Sequence, residues 1–147
     1  RTLYAFWRCS IASTFLFDSA SRRFCEVKPL RTNTSLQALT LLNDTSFLEA
    51  ARVIASIAVR SDQATPARLE IITRRVLSRA PTTDENRVLT RELEHARTYY
   101  RSHPQDAAKL LSVGQSPVDP TLDYADVAAF AVIASLILNL DEAMTYE

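Results

Sequence analysis

A chain of 147 residues that contains one glycine, Gly114, is barred from most architectures built on tight backbone turns. Average usage of about 7% would place roughly ten glycines in it. Rossmann crossovers, phosphate-binding loops and sandwiches of short hairpins all need glycine at fixed places. Helices need it only at their ends, so the expectation is an all-α fold. The length suits one domain. A chain of 147 residues can bury a core without metal or disulfide support.

Helix signals run through residues 35–147, and together they predict about six helices around a central apolar C-terminal one. Thr34 and Gln37 have capping-box spacing ahead of Leu36, Leu39 and Leu42. Asp44, Thr45 or Ser46 caps the next helix, with Glu49 three residues after Ser46; it reaches about Arg60 with Phe47, Ala51, Ile54 and Ala58 on one face. Thr65-Pro66 opens a third helix, with Leu69, Ile72 and Val76 inward, Arg68, Arg74, Arg75 and Arg79 in water, and Pro81 at its end. Thr82 and Glu85 form a capping box for a fourth, which buries Leu89, Leu93, Ala96 and Tyr100. Ser102, Pro104 and Gln105 open a short helix that closes near Gly114, and a connector with Pro117 and Pro120 comes after it. Asp123 then caps a helix from Tyr124 to about Glu142, apolar nearly all round and therefore central.

Residues 1–34 lack helical periodicity. Their aromatics (Tyr4, Phe6, Trp7, Phe15, Phe17, Phe24) predict an extended segment pinned to the helical core. The chain starts abruptly at Arg1-Thr-Leu-Tyr and reads as a piece of a larger protein.

Seventeen Lys and Arg balance seventeen Asp and Glu, so no global field gathers nucleic acid or an anionic membrane. The charge is nevertheless segregated. Residues 1–31 hold six cations against Asp18 and Glu26, whereas residues 104–147 hold Lys109 against seven carboxylates. Either the basic start packs near the acidic end, or it is a docking arm for a partner. The longest apolar run, Val127 to Leu138 interrupted by Ser135, is too short to span a bilayer. Residues 1–8 do not form a signal peptide, because Arg8 breaks the apolar stretch. Cys9 and Cys25 fit a disulfide in an exported protein and buried thiols in a cytosolic one.

No complete catalytic or metal-binding motif appears. Glu92 and His95 have the spacing of one half of a di-iron bundle site, but the only other histidine, His103, has Tyr100 where the second glutamate is needed. No metal site and no cofactor are therefore expected in this segment. Neither cysteine stands in a spacing that pairs it with a histidine as a nucleophile. Polar residues collect at three helix ends: Arg31 and Asn33, Asn43 and Asp44, and Asn139, Asp141 and Glu142. Such residues normally cap helices. If the three ends converge, they form a polar pocket or an oxygen-ligand cation site.

The run from Arg31 to Asp44, RTNTSLQALTLLND, with Phe47-Leu-Glu-Ala-Ala-Arg52 after it, is distinctive. It resembles the R-T-N-T-P-L-Q-A-L-x-L-L-N-D-P-x-F-x-E-A-A-R signature of the planctomycete domain-of-unknown-function-1553 family. Leu3-Tyr-Ala-Phe-Trp-Arg8, Phe17-Asp18 with Cys25, and the tail Leu138-Asn-Leu-Asp-Glu142 are similar to further segments of that family, in the same order. Ser35 and Thr45 replace helix-starting prolines, and Ser21-Arg22-Arg23 replaces a P-D-R-E turn. The resemblance implies the C-terminal part of a large exported bacterial protein, extracytoplasmic, often with a cytochrome c-like haem domain upstream. That setting favours a Cys9–Cys25 disulfide, and it assigns no reaction.

Two functions are compatible with this sequence. The chain is either a structural and interaction module docking on upstream domains of its own polypeptide, or part of an extracytoplasmic enzyme. In the second case, a haem-linked oxidoreductase or carbohydrate-active enzyme, Arg31, Asn33, Asn43, Asp44, Asp141 and Glu142 would line a site completed upstream.

Overall fold

The computed structural model describes residues 35–61 and 63–144. The expected extended segment over residues 1–34 lies outside them, and so do Cys9, Cys25, Arg31 and Asn33. The chain divides into two compact units, Arg1–Leu39 and Thr40–Glu147, with the division falling inside the first described helix. The helical packing belongs to the second unit.

Seven helices and no strand occur among the described residues: α1 (Ser35–Asn43), α2 (Thr45–Arg60), α3 (Thr65–Leu77), α4 (Thr83–Ser102), α5 (Pro104–Leu111), α6 (Tyr124–Leu138) and α7 (Asp141–Met144). The all-α expectation holds. Helix starts obey local chemistry. Asp44 accepts from the backbone N–H groups of Ser46 and Phe47, and Asp123 accepts from Ala125. Thr82 and Glu85 form the reciprocal capping box at α4. Glu49 does not complete a box with Ser46. Asp44 already holds the Ser46 N–H, and the Glu49 carboxylate reaches elsewhere.

α6 is the core. Val127, Phe130, Ile133 and Ile137 are buried together with Ala128, Ala129, Ala131 and Ala134, so the helix has no solvent face through its middle. The small side chains set the spacing. Ala51, Ala55 and Ala58 of α2 lie buried in the same cluster as Ala131 and Ala134 of α6, where alanines let helix axes approach closely. Leu69 and Ile72 of α3 and Leu93 of α4 fill the remaining sides and are fully enclosed. Leu48, early in α2, lines a groove with Ser135 and Leu136, late in α6, so these helices run antiparallel. Arg97, late in α4, bonds Asp126, early in α6, so α4 is antiparallel to it as well. Arg68, at the start of α3, meets the same Asp126, so α3 runs parallel to α6.

Three expectations need correction. The last helix does not continue to Glu142. The Asn139 N–H is shared between the carbonyls of Ser135 and Leu136, and that of Leu140 reaches Ile137, so the helix tightens and stops before α7. The third helix ends at Leu77, with Ser78 in the left-handed conformation at φ 61°, well before Pro81. Arg68 is not in water: its side chain is only 17% exposed, drawn inward by Asp126.

Candidate functional site

Three polar joints hold the helices to one another. The first is built by α2. Glu49 Oε1 accepts from the backbone N–H groups of Gln115 at 3.1 Å and Ser116 at 2.7 Å, and from the Ser116 hydroxyl. These bonds, led by the Ser116 side chain, hold the Glu49 carboxyl below its ordinary range. Arg52, one turn on and 2% exposed, donates from Nη2 to the Ser116 carbonyl at 2.7 Å. The two side chains therefore grip the connector between α5 and α6. Gly114 sits beneath this grip at φ +92°. A Cβ there would lie 2.5 Å from Glu49 Cδ and 2.7 Å from Glu49 Cβ, so the chain's one glycine is required both by backbone angle and by the crossing side chain.

The second joint lies at the start of α6. Asp126 receives Arg97 Nε at 2.7 Å on one oxygen and Arg68 Nη1 at 3.2 Å on the other. The side chains of Arg97 and Asp126 are 13% and 14% exposed. Both guanidinium groups approach the Phe130 ring, with Cζ to centroid distances of 5.2 Å for Arg97 and 6.0 Å for Arg68. Burial opposes the charge on Arg97, but its bonds to Asp126 and Glu94 outweigh burial and raise its pKa. One carboxylate thus ties α3 and α4 to the central helix.

The third joint is Arg79, after α3. It donates to both oxygens of Glu85 at 2.8 and 2.9 Å and to both oxygens of Glu142 at 2.7 and 2.8 Å. Arg79 above all, and the Thr82 backbone N–H next, bring the Glu85 pKa down to about 2, and Arg79 lowers that of Glu142 as well. Beside it, Thr73, Leu77, Asp84, Glu85, Val88, Leu89, Ile137 and Leu140 line a cleft of about 380 Å³. A smaller apolar cleft of about 180 Å³ lies between α2 and α6.

The residues expected at helix ends have divided roles. Asn43 and Asp44 share with Asn139, Asp141 and Glu142 the end of the bundle where α2 begins and α6 finishes. Asp44 bonds its own helix, however, and Glu142 bonds Arg79. Asn43 and Asp141 are exposed; Asn139 is half-buried and its Oδ1 is enclosed without a partner. Glu92 pairs with Arg91, His95 is exposed, and His103 stacks on Tyr99 at 4.4 Å. No group of three or more His, Cys, Asp or Glu among the described residues has metal-binding geometry, and no described helix is long and apolar enough to cross a membrane. Sequence reasoning missed Glu49, Arg52, Arg68, Arg79, Arg97 and Asp126. A signal was present for three of them: Glu49 and Arg52 stand in the distinctive run that ends at Arg52, and Asp126 opens an otherwise apolar helix.

Fold and joints define a helical module whose central helix is fastened by ion pairs and one carboxylate clasp. The chain belongs to the family described as "Protein of unknown function (DUF1553)", whose model matches residues 1–93. The match covers the Arg31–Arg52 run, α1 to α3 and about half of α4; the tail likeness at Leu138–Glu142 lies beyond it. No curated protein and no solved structure gave a significant match.

Proposed function

We propose that this chain is a structural and interaction module of a larger exported, multidomain bacterial protein, docking on upstream domains of the same polypeptide. In that setting the module lies outside the cytoplasm, Cys9 and Cys25 form a disulfide, and any haem c belongs to an upstream domain. The observation that carries this reading is how the described side chains of the family signature are used. Asp44 caps α2, while Glu49 and Arg52 clasp the connector, so they join one part of the module to another. Apolar side chains remain at the surface, among them Val88 and Leu140, which are 45% and 44% exposed and stand on one cleft.

The test is co-expression of the upstream portion as a separate polypeptide with the 147-residue chain. The two should co-purify, and deletion of residues 1–31 should abolish the association. Unchanged association after the deletion would count against a docking role for the basic arm; no association at all would count against the module reading. Mass spectrometry of the exported protein without reduction should find Cys9 and Cys25 in one linked peptide.

A further inference from the structure

The cleft between α3, α4 and the end of α6 combines three properties. Its floor is apolar, from Leu77, Leu89 and Ile137, and its lips, Val88 and Leu140, are open to solvent. Its volume of about 380 Å³ lies within the range of clefts that enclose a ligand or a large side chain. Its charged lining is of one sign only, Asp84 and Glu85, with no cation among the lining residues.

The two carboxylates differ. Glu85 is held in the Arg79 joint, which also fastens Glu142 of α7 and so fixes the cleft at that end. Asp84 has a side chain 86% exposed, and its bond to Arg87, itself 80% exposed, is a single contact of 3.1 Å. An exposed pair of this kind exchanges partners at little cost. The cleft therefore offers an apolar seat beside a carboxylate that an incoming cation can engage.

We propose that this cleft is the module's docking seat for an amphipathic peptide segment, one large apolar side chain entering between Val88 and Leu140 with an adjacent Arg or Lys against Asp84. The proposal rests on the interaction-module reading and specifies the chemistry of its partner. Anchoring by a single buried aromatic with a charged neighbour is a common economy of peptide recognition, because the aromatic supplies contact area with few rotatable bonds. Asp84 adds selectivity and a salt-sensitive contribution to association, while the apolar seat supplies most of the affinity.

The experiment uses the 147-residue chain, labelled at Ile, Leu and Val methyl groups for NMR. It is titrated with two capped dipeptides, N-acetyl-tryptophanyl-arginine amide and N-acetyl-tryptophanyl-glutamic acid amide. The expected result is a shift of the Val88, Leu89, Ile137 and Leu140 methyl signals, with the arginine peptide binding roughly three- to tenfold more tightly at low salt. Asp84→Asn should reduce that preference, and Val88→Arg, at an exposed position, should abolish binding of the arginine peptide while the chain stays folded. Equal binding of the two peptides would show an apolar cleft for neutral molecules and overturn the proposal. Shifts confined to other methyl groups, or none with either peptide, would overturn it too. These failures would leave co-purification with the upstream portion intact, so loss of this inference is distinguishable from loss of the module reading.

Discussion

Replacing Gly114 by Ala tests whether the lone glycine is required by its backbone angle alone or by the side chain above it. The angle is φ +92°, where a residue with a Cβ is strained by about 1–3 kcal/mol. The second contribution comes from Glu49. An added Cβ would stand 2.5 Å from Glu49 Cδ, 2.6 Å from Oε2 and 2.7 Å from Glu49 Cβ. Rotating the carboxylate away relieves the first two contacts only. The third belongs to an atom fixed to the α2 backbone, so the connector itself must move. That motion carries the Ser116 carbonyl off Arg52, a residue only 2% exposed, which loses a charged hydrogen bond worth about 1.5–3 kcal/mol. Gly114→Ala is therefore expected to destabilise the protein by about 3–5 kcal/mol.

The assay is urea unfolding monitored by circular dichroism at 222 nm, repeated in two backgrounds. With Glu49→Ala the clash at Cβ persists, and Gly114→Ala should remain costly. With Glu49→Gly all three contacts vanish, and the added cost should fall to the backbone contribution of about 1–3 kcal/mol. An equal loss from Gly114→Ala in the wild-type and Glu49→Gly proteins would refute the steric argument, leaving the backbone angle as the whole reason for the glycine.

Other substitutions give separate readings. Asp44→Ala should lower stability by about 0.5–2 kcal/mol as a lost helix cap, while co-purification with the upstream portion is unchanged; loss of association at full stability would assign Asp44 to a binding site. Phe130→Ala should cost about 3–5 kcal/mol in urea, because it empties the centre of the core and removes the ring beneath Arg68 and Arg97. Arg79→Met should lower the melting temperature in a pH-dependent way. Glu85 and Glu142 have folded pKa values below their unfolded ones, so the stability they gain from Arg79 is complete above about pH 4.5 and is lost as pH falls towards 2. The melting temperatures of wild type and variant should converge over that interval, and a gap that persists unchanged at pH 2 would show that Arg79 acts through packing rather than charge.

Legibility in the sequence tracked the range of the interactions involved. Caps and turns are decided within a few residues, and Asp44, Thr82 with Glu85, and Asp123 stand where spacing placed them. Apolar periodicity selected Leu69, Ile72 and Leu93 correctly and identified α6 as central, because a helix apolar on all sides has only one stable location. On α2 the periodicity found Ala51 and Ala58 but not Ala55, which is enclosed completely. Alanine is a weak signal in a pattern of hydrophobicity, yet it is the residue that allows α2 to approach α6.

The joints were illegible for a related reason. Each pairs residues distant in sequence: Glu49 with Ser116, Arg68 with Asp126, Arg79 with Glu142. A single charged side chain carries no mark of whether it meets water or a partner sixty positions away, so Arg68 looks like Arg74 until α6 is in place. The arrangement also explains why these joints suit a module whose central helix is so apolar. Greasy contacts along α6 resist separation, but side chains as short as alanine make poor obstacles to sliding or rotation. Asp126 fixes the start of α6 against α3 and α4, the Glu49–Arg52 clasp fixes the connector that delivers it, and Arg79 fixes the short helix α7 beyond its end. Hydrophobic burial supplies the cohesion, while the directional bonds at both ends set the register. A substitution at Asp126 should accordingly disturb the position of α6, visible as shifts in the Ile133 and Ile137 methyl signals, under conditions where the helix content measured by circular dichroism is still unchanged.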